Sequence, residues 1–111
     1  MELREEMIGA ITVVEVQGRM DGTTARTLED RLMGRLGSME TRIVLDLTRL
    51  DYIGSAGLRI LLMAAKRAES SGSRLVMCGV SGRVRQLFDL GGFLDLFTIA
   101  GSREEGITAA G

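Results

Sequence analysis

Residues 42–68 constrain the fold of this chain most, because they predict a strand, a short polar loop and a long helix in succession. Residues 43–47 are nearly all apolar, which is typical of a strand covered on both faces. The helix is predicted to begin at Ser55 or just after it and to run to about Ser70. Its apolar stripe recurs at three- and four-residue spacing and consists of Leu58, Leu61, Leu62, Ala65 and Ala68. This order presents the Ser55 hydroxyl at the edge of an α/β sheet.

The whole chain, residues 1–111, is expected to form one α/β domain. Two short strands within residues 2–16 have so little chain between them that they must form an antiparallel hairpin. The elements predicted around residues 42–68 are a loop at 17–22, a helix capped by Thr23 or Thr24 and running to about Leu36, a strand at 74–78, a helix at 82–90, and a turn of helix with a strand within 93–99. Residues 101–111 are expected to be a weakly structured tail or a short helix.

The alternation of strands and helices determines the predicted topology. Strands joined through helices of this length become parallel neighbours with right-handed crossovers. The predicted fold class is therefore α/β: a mixed β-sheet with an initial antiparallel hairpin, parallel β-α-β units and helices mainly on one face.

The charge balance argues against nucleic acid as a partner. Fourteen basic and fifteen acidic residues give a net charge of −1, which provides no basic surface for phosphates. No apolar run approaches the roughly 18 residues of a membrane span, and the first residues do not resemble a signal peptide. One cysteine, Cys78, cannot form an internal disulfide. We therefore expect a cytoplasmic protein that binds neither membrane nor nucleic acid.

The residues that most enzymes use are missing. The sequence has no histidine, so it cannot contain a Ser-His-Asp or Cys-His site, and it offers almost no ligands for zinc. Around Ser55 neither the phosphate-loop spacing GxxxxGK[ST] nor GxGxxG occurs, and G-S-A-G is not the hydrolase pattern G-x-S-x-G. We expect no enzyme activity, no cofactor and no metal site.

Two interpretations of Ser55 are compatible with each other. Serine at a helix start commonly acts as an N-cap that accepts a hydrogen bond from a free helix N–H. Alternatively, Ser55 is a phosphate acceptor, because Gly54, Ala56 and Gly57 leave its hydroxyl accessible. A helix N-terminus also tolerates the added negative charge.

Three aspartates and one methionine are the other candidates. Asp21 is expected to be a loop or cap residue and Asp51 to follow a strand end, whereas Asp46 lies inside an apolar run and must find hydrogen-bond donors or water. Met63 lies on the polar face of the predicted helix, where a flexible apolar side chain suits contact with a partner.

Three segments together resemble the STAS domain, the fold of bacterial anti-sigma-factor antagonists. Residues 16–21 (VQGRMD) resemble the family's V-x-G-x-x-D entry to its first helix. Residues 43–58 (IVLDLTRLDYIGSAGL) resemble its signature strand, loop and helix, which usually ends in D-S-S/T-G-L. Residues 84–99 (VRQLFDLGGFLDLFTI) resemble its C-terminal pattern. The resemblance covers nearly the whole chain.

The resemblance implies a partner-switching function. In that family an anti-sigma factor that is also a serine kinase phosphorylates a serine at this helix start. The unphosphorylated antagonist binds the kinase and frees the sigma factor, and a serine phosphatase resets it. Carried to this sequence, Ser55 is the phosphorylation site and Asp46 and Asp51 lie in loops near it. The implied partner-binding residues are Asp21, Gly54, Ser55, Ala56, Gly57, Arg59, Met63 and Lys66.

Two positions depart from the family pattern and keep other functions open. Gly54 replaces the usual aspartate, and Ala56 replaces the second hydroxyl residue, so Ser55 is the single acceptor in the motif. One alternative is a non-phosphorylated STAS scaffold coupled to a transporter ATPase or a stress-sensing complex. A second is a small-molecule or nucleotide binder that uses the same loop. The family precedent favours a monomer.

Overall fold

The computed structural model describes residues 2–111. Its helices and strands follow each other in the predicted order, with one additional short strand. They are β1 (Glu2–Ile8), β2 (Ile11–Met20), α1 (Gly22–Leu32), β3 (Arg42–Asp46), β4 (Leu50–Ile53), α2 (Ser55–Ser71), β5 (Arg74–Cys78), α3 (Gly82–Leu90), β6 (Ile99–Ala100) and α4 (Arg103–Ala110). Single 3₁₀ turns occur at Arg35–Gly37 and Leu94–Leu96.

The strands form one mixed sheet, which confirms the predicted fold class. β1 and β2 are an antiparallel hairpin, and the parallel strands follow in the order β2-β3-β5-β6. β2 is long enough for two parallel partners on the same side: Thr12 to Glu15 pair with β3, and Gly18 to Met20 pair with β4. The ends of β2 and β4 therefore lie side by side, immediately before α1 and α2.

The predicted loop at 17–22 is wrong, because β2 continues to Met20. Gly18 has a φ of 98°, a backbone conformation that glycine adopts readily. The pairing register shifts between Gly18 and Arg19, so the glycine marks an irregularity within the strand. β4 was not predicted either, since its four residues, of which the middle two are exposed, are too few to give a periodic pattern.

Three helices cover one face of the sheet and enclose the main core. The inward side chains of α1, α2 and α3 pack against alternate residues of the parallel strands. Residues at the centre of this core are Leu28, Leu32, Leu61 and Phe88 from the helices, with Val14, Val16, Ile43, Leu45 and Met77 from the strands.

The short helix α4 covers part of the opposite face and closes a second, smaller core. Ala110 and the partly buried Ile107 pack there against strand residues that include Val13, Val44 and Val76. Gly106 is buried in the same contact. Small residues make this helix difficult to recognise from the sequence, because they give it little apolar periodicity.

Two helix details differ from the sequence prediction. α1 ends at Leu32, and the predicted end at Leu36 lies in a separate 3₁₀ turn. The buried face of α2 is rotated about the helix axis relative to the predicted face, so that only part of the predicted set is fully buried. Its buried residues are Gly57, Ile60, Leu61, Ala64 and Ala68, whereas Leu58, Leu62 and Ala65 are only partly buried.

Gly57 allows the first turn of α2 to lie against the ends of β2 and β4. A Cβ atom at this position would lie 2.8 Å from Cγ of Met20 and 2.9 Å from Cγ1 of Ile53. Both side chains are buried in the main core, so neither can move without disturbing its neighbours. The approach of α2 to the sheet therefore depends on the missing side chain.

Replacing Gly57 by alanine is expected to lower the free energy of unfolding by about 1–3 kcal/mol, because the added methyl overpacks this contact. Gly34→Ala is the matched control, since Gly34 has helical dihedral angles and a Cβ atom there would have no neighbour within 4 Å. The control is expected to be neutral or stabilising by about 0.5 kcal/mol. Urea unfolding of both variants tests this; equal stabilities would contradict the packing argument.

Candidate partner-binding surface around Ser55

Ser55 is the first residue of α2 and its side chain is exposed. The N-cap position belongs to Gly54, so the interpretation of Ser55 as the N-cap is wrong. Because Gly54 has no side chain, no side-chain oxygen caps this end of the helix. Among residues 2–111, no side-chain hydrogen bond involves the Ser55 hydroxyl. The hydroxyl is therefore free for an incoming group, beside the positive end of the helix dipole.

The end of β2 and the first turn of α2 hold the backbone before Ser55 in place. The Gly54 N–H donates a 2.9 Å hydrogen bond to the carbonyl oxygen of Met20, and the Gly54 carbonyl oxygen accepts one from Leu58 N–H at 3.0 Å. The start of α2 is thus fixed to the end of β2. Since Asp21 follows Met20 directly, this bond also brings the start of α1 next to the start of α2.

Asp21 is the N-cap of α1; the sequence offers Thr23 or Thr24 for this role and leaves Asp21 open as a loop or cap residue. Its Oδ1 accepts hydrogen bonds from the backbone N–H groups of Thr23 and Thr24 at 3.1 and 3.2 Å, and its own N–H donates to the Thr24 hydroxyl at 2.8 Å. The bonds from Thr24 hold the pKa of the Asp21 carboxyl below its ordinary value. Asp21 is therefore an ionised capping residue at the edge of the Ser55 surface.

Tyr52 occupies the space beside Gly54. A Cβ atom on Gly54 would lie 3.3 Å from the Tyr52 hydroxyl oxygen, while the guanidinium of Arg19 stacks 4.1 Å from the centre of the tyrosine ring. Gly54 has an ordinary extended conformation, so its backbone does not require glycine. The tyrosine thus lies where a longer side chain at position 54 would extend.

The exposed face of α2 continues the surface away from Ser55. Arg59 and Ala56 line a groove between α1 and α2, and farther along the helix Met63 and Lys66 line a shallow surface with Met33. Met63 is 38% exposed. Gly57 is the exception among the predicted partner-binding residues, because it faces the core and cannot present a surface to a partner.

Asp51 and Asp46 lie in different surroundings. Asp51 is exposed on β4, just before Tyr52. Asp46 is only 5% exposed, and its carboxylate points towards α4, on the face of the sheet away from α2. It accepts hydrogen bonds from the Thr48 N–H and hydroxyl at 3.0 and 2.6 Å and from Arg103 Nε at 2.9 Å. The expected place of Asp46 beside the Ser55 surface is therefore wrong.

Arg103 connects α4 to the sheet. Its Nη2 lies 2.8 Å from Glu15 Oε2 and 2.8 Å from Asp46 Oδ2. Burial raises the pKa of the Asp46 carboxyl, but the bonds from Thr48 and Arg103 outweigh burial and keep the pKa below its ordinary value. This cluster is structural: it satisfies a buried carboxylate and attaches the last helix.

Cys78 lies next to this cluster and is buried. Burial, with the negative charge of Asp46, raises the pKa of its thiol to about 11. The thiol is therefore protonated at neutral pH and is a poor nucleophile.

Every helix within residues 2–111 is too short or too polar to cross a bilayer. The same part of the chain contains no group of three acidic, cysteine or histidine side chains that could hold a metal ion.

Comparison with known proteins assigns the family. The model of the STAS domain family matches residues 3–106. BtrV of Bordetella bronchiseptica, a protein named as an anti-sigma factor antagonist, is 39% identical over 109 residues, which cover 98% of this chain and 94% of BtrV. This chain is a STAS domain of the anti-sigma-factor antagonist family. The resemblance of the three sequence segments is thereby confirmed.

Other STAS proteins are similar at greater distance. An anti-sigma-B factor antagonist of Listeria monocytogenes is 32% identical over 101 residues, covering 89% of this chain and 86% of that protein. The Bacillus cell fate determinant SpoIIAA, solved in a phosphorylated form, superimposes with a TM-score of 0.75 at 19% identity, covering 97% of this chain and 98% of SpoIIAA. At that identity the structural match supports the fold alone.

The STAS motif identified Ser55 but not two other polar residues of the structure. Tyr52 was missed because β4 was not predicted. Arg103 lies in the tail, 57 positions along the chain from Asp46, and no local pattern connects the two. Asp46, a lone aspartate inside an apolar strand, was the one sign in the sequence that a side chain elsewhere in the chain must bind a buried carboxylate.

Replacing Asp46 by asparagine is expected to lower the free energy of unfolding by about 2 kcal/mol near pH 7, because Arg103 loses a charged acceptor. The folded-state pKa of Asp46 is lowered, so the carboxylate stabilises the fold above its unfolded pKa of about 4 and the contribution is lost as pH falls through the folded value. The difference between wild type and Asp46→Asn should therefore shrink below about pH 4.

Urea unfolding between about pH 3 and pH 7 measures this difference, with Asp30→Asn as the control. Asp30 is exposed on α1, and no ion pair among residues 2–111 involves it. A difference between Asp46→Asn and wild type that does not vary with pH would contradict the proposed role of the Asp46 charge.

Proposed function

We propose that this chain is the antagonist component of a partner-switching pathway. In its unphosphorylated form it binds an anti-sigma factor that is also a serine kinase, and phosphorylation of Ser55 by that kinase releases it. A serine phosphatase restores the binding form. In this proposal the protein acts in the cytoplasm, where ATP is available to its partner, and it acts as a monomer. The observation that carries the proposal is the exposed, unbonded hydroxyl of Ser55 at the uncapped start of α2.

The binding surface consists of the adjoining starts of α1 and α2. Asp21, Ser55 and Arg59 are partly or fully exposed there, and the Met20–Gly54 hydrogen bond keeps the two helix starts together. Met63 and Lys66 extend the contact along α2. A rigid surface of this kind binds with little loss of backbone entropy, which favours a specific partner.

In the phosphorylation step this chain supplies only the acceptor. The Ser55 oxygen attacks the γ-phosphorus of ATP, its proton passes to a base of the kinase, and the bond to ADP breaks. The kinase also supplies the nucleotide and Mg²⁺. Free N–H groups at the first turn of α2 favour the phosphate that results.

The same phosphate would weaken the complex. It adds a charge of about −1.5 to −2 and three acceptor oxygens in the middle of the binding surface, near the ionised Asp21. Charge repulsion and bulk together account for a coupling energy of about 1–3 kcal/mol, which is typical of a switch.

Incubation with the anti-sigma factor kinase of the same organism and ATP is expected to add one phosphate to wild type and none to Ser55→Ala, as measured by intact mass. Ser70→Ala, at the other end of α2, is the matched control and should accept one phosphate. Ser70 is also exposed, but it lies inside the last turn and its hydroxyl donates to the Arg67 carbonyl oxygen.

Detection of one phosphate on the Ser55→Ala variant would mean that another residue accepts it, which would contradict the assignment of Ser55 as the phosphorylation site. Stable binding of the kinase with no phosphate on wild type would instead favour the alternative function, a STAS scaffold that is not phosphorylated. Gly54 and Ala56, the two departures from the family motif, are the features that favour this alternative.

A further inference from the structure

A groove of about 230 Å³ separates α1 from α2 beside the Ser55 surface. Two arginines, Arg26 from α1 and Arg59 from α2, lie on its two walls. Ala25, Ala56 and Ile60 line it between them, with Glu29 as its one acidic residue. Small side chains keep the groove open, so the two guanidinium groups can approach the same bound group.

These two arginines differ from the neighbouring arginines on and beside the same helices. Arg31 on α1 and Arg35 in the 3₁₀ turn after it form ion pairs with Glu5, and Arg67 on α2 donates a hydrogen bond to the Met33 carbonyl oxygen. No ion pair or hydrogen bond within residues 2–111 uses the guanidinium of Arg26 or Arg59. Two planar donor groups are therefore available on facing helices.

The charge of the residues that line the groove determines which chemical group can bind there. Arg26, Glu29 and Arg59 give the lining a net charge of +1. A guanidinium binds a carboxylate through two parallel N–H donors, with a geometry that an ammonium group cannot reproduce. An acidic side chain on the partner is the occupant that complements two such groups.

We propose that Arg26 and Arg59 together bind an acidic side chain of the partner protein, and that this contact contributes to the recognition of the anti-sigma factor. The proposal rests on the function proposed above. Ser55 and Arg59 are four residues apart on α2 and so share one face of the helix. Phosphate on Ser55 therefore lies within one helical turn of the bound carboxylate and repels it.

Affinity measurements with the purified anti-sigma factor of the same organism test the proposal. Arg26→Gln and Arg59→Gln are each expected to weaken binding about tenfold, which is typical of a contact that contributes strongly to an interface. Because both arginines bind one group, the double variant should lose clearly less than the product of the two single losses. Arg59→Lys should restore only part of the affinity, since lysine keeps the charge but not the paired donors.

Arg85→Gln on α3 is the control, because it removes the same charge from an exposed helix position outside the groove. It should bind like wild type, and all variants should unfold at the same urea concentration. Raising the salt concentration should weaken wild type more than the double variant.

The possible outcomes separate the two proposals. If wild type binds and both glutamine variants bind with the same affinity as wild type, the role of the arginine pair is overturned and the antagonist function is left intact. Equal losses of affinity in the groove variants and in Arg85→Gln would also overturn the role of the arginine pair, because the affinity would then follow net charge alone. No binding by wild type would contradict the proposed function and, with it, this inference.

Discussion

The close contact between the first turn of α2 and the ends of β2 and β4 determines the geometry of the proposed binding surface. Gly57 makes this contact possible, because any side chain there would collide with Met20 and Ile53. The hydrogen bond from Gly54 N–H to Met20 then fixes the helix start against the strand end. Ser55 is exposed for the same reason: packing turns residue 57 inward, and the residue two positions earlier in the helix faces solvent.

The two faces of the sheet are covered by different helices and carry different features. The helix-covered face contains the main core and carries the adjoining starts of α1 and α2. The other face is closed by α4, which Arg103 attaches to Asp46 and Glu15. A charge change at Ser55 is therefore separated by the sheet from the buried ion pairs. A phosphate on Ser55 is thus expected to alter the proposed binding surface without disturbing the charge cluster that supports the fold.

The sequence was most informative where function and packing depend on short, local patterns. The apolar strand, the Ser-Ala-Gly step and the long helix predicted α2 and the position of Ser55. Features that depend on residues distant in the chain could not be predicted. The partner of Asp46 is Arg103, far along the chain in a helix of small residues. Tyr52 belongs to a four-residue strand that forms only because the end of β2 provides its pairing partner.

The surface around Ser55 is expected to be preformed for binding and to be switched off by one phosphate. The direct test is the dissociation constant of the anti-sigma factor complex, measured with the unphosphorylated protein and with the same protein carrying phosphate on Ser55. An increase of about 5- to 150-fold on phosphorylation is expected, which corresponds to a coupling energy of about 1–3 kcal/mol. Equal dissociation constants for the two forms would contradict the account.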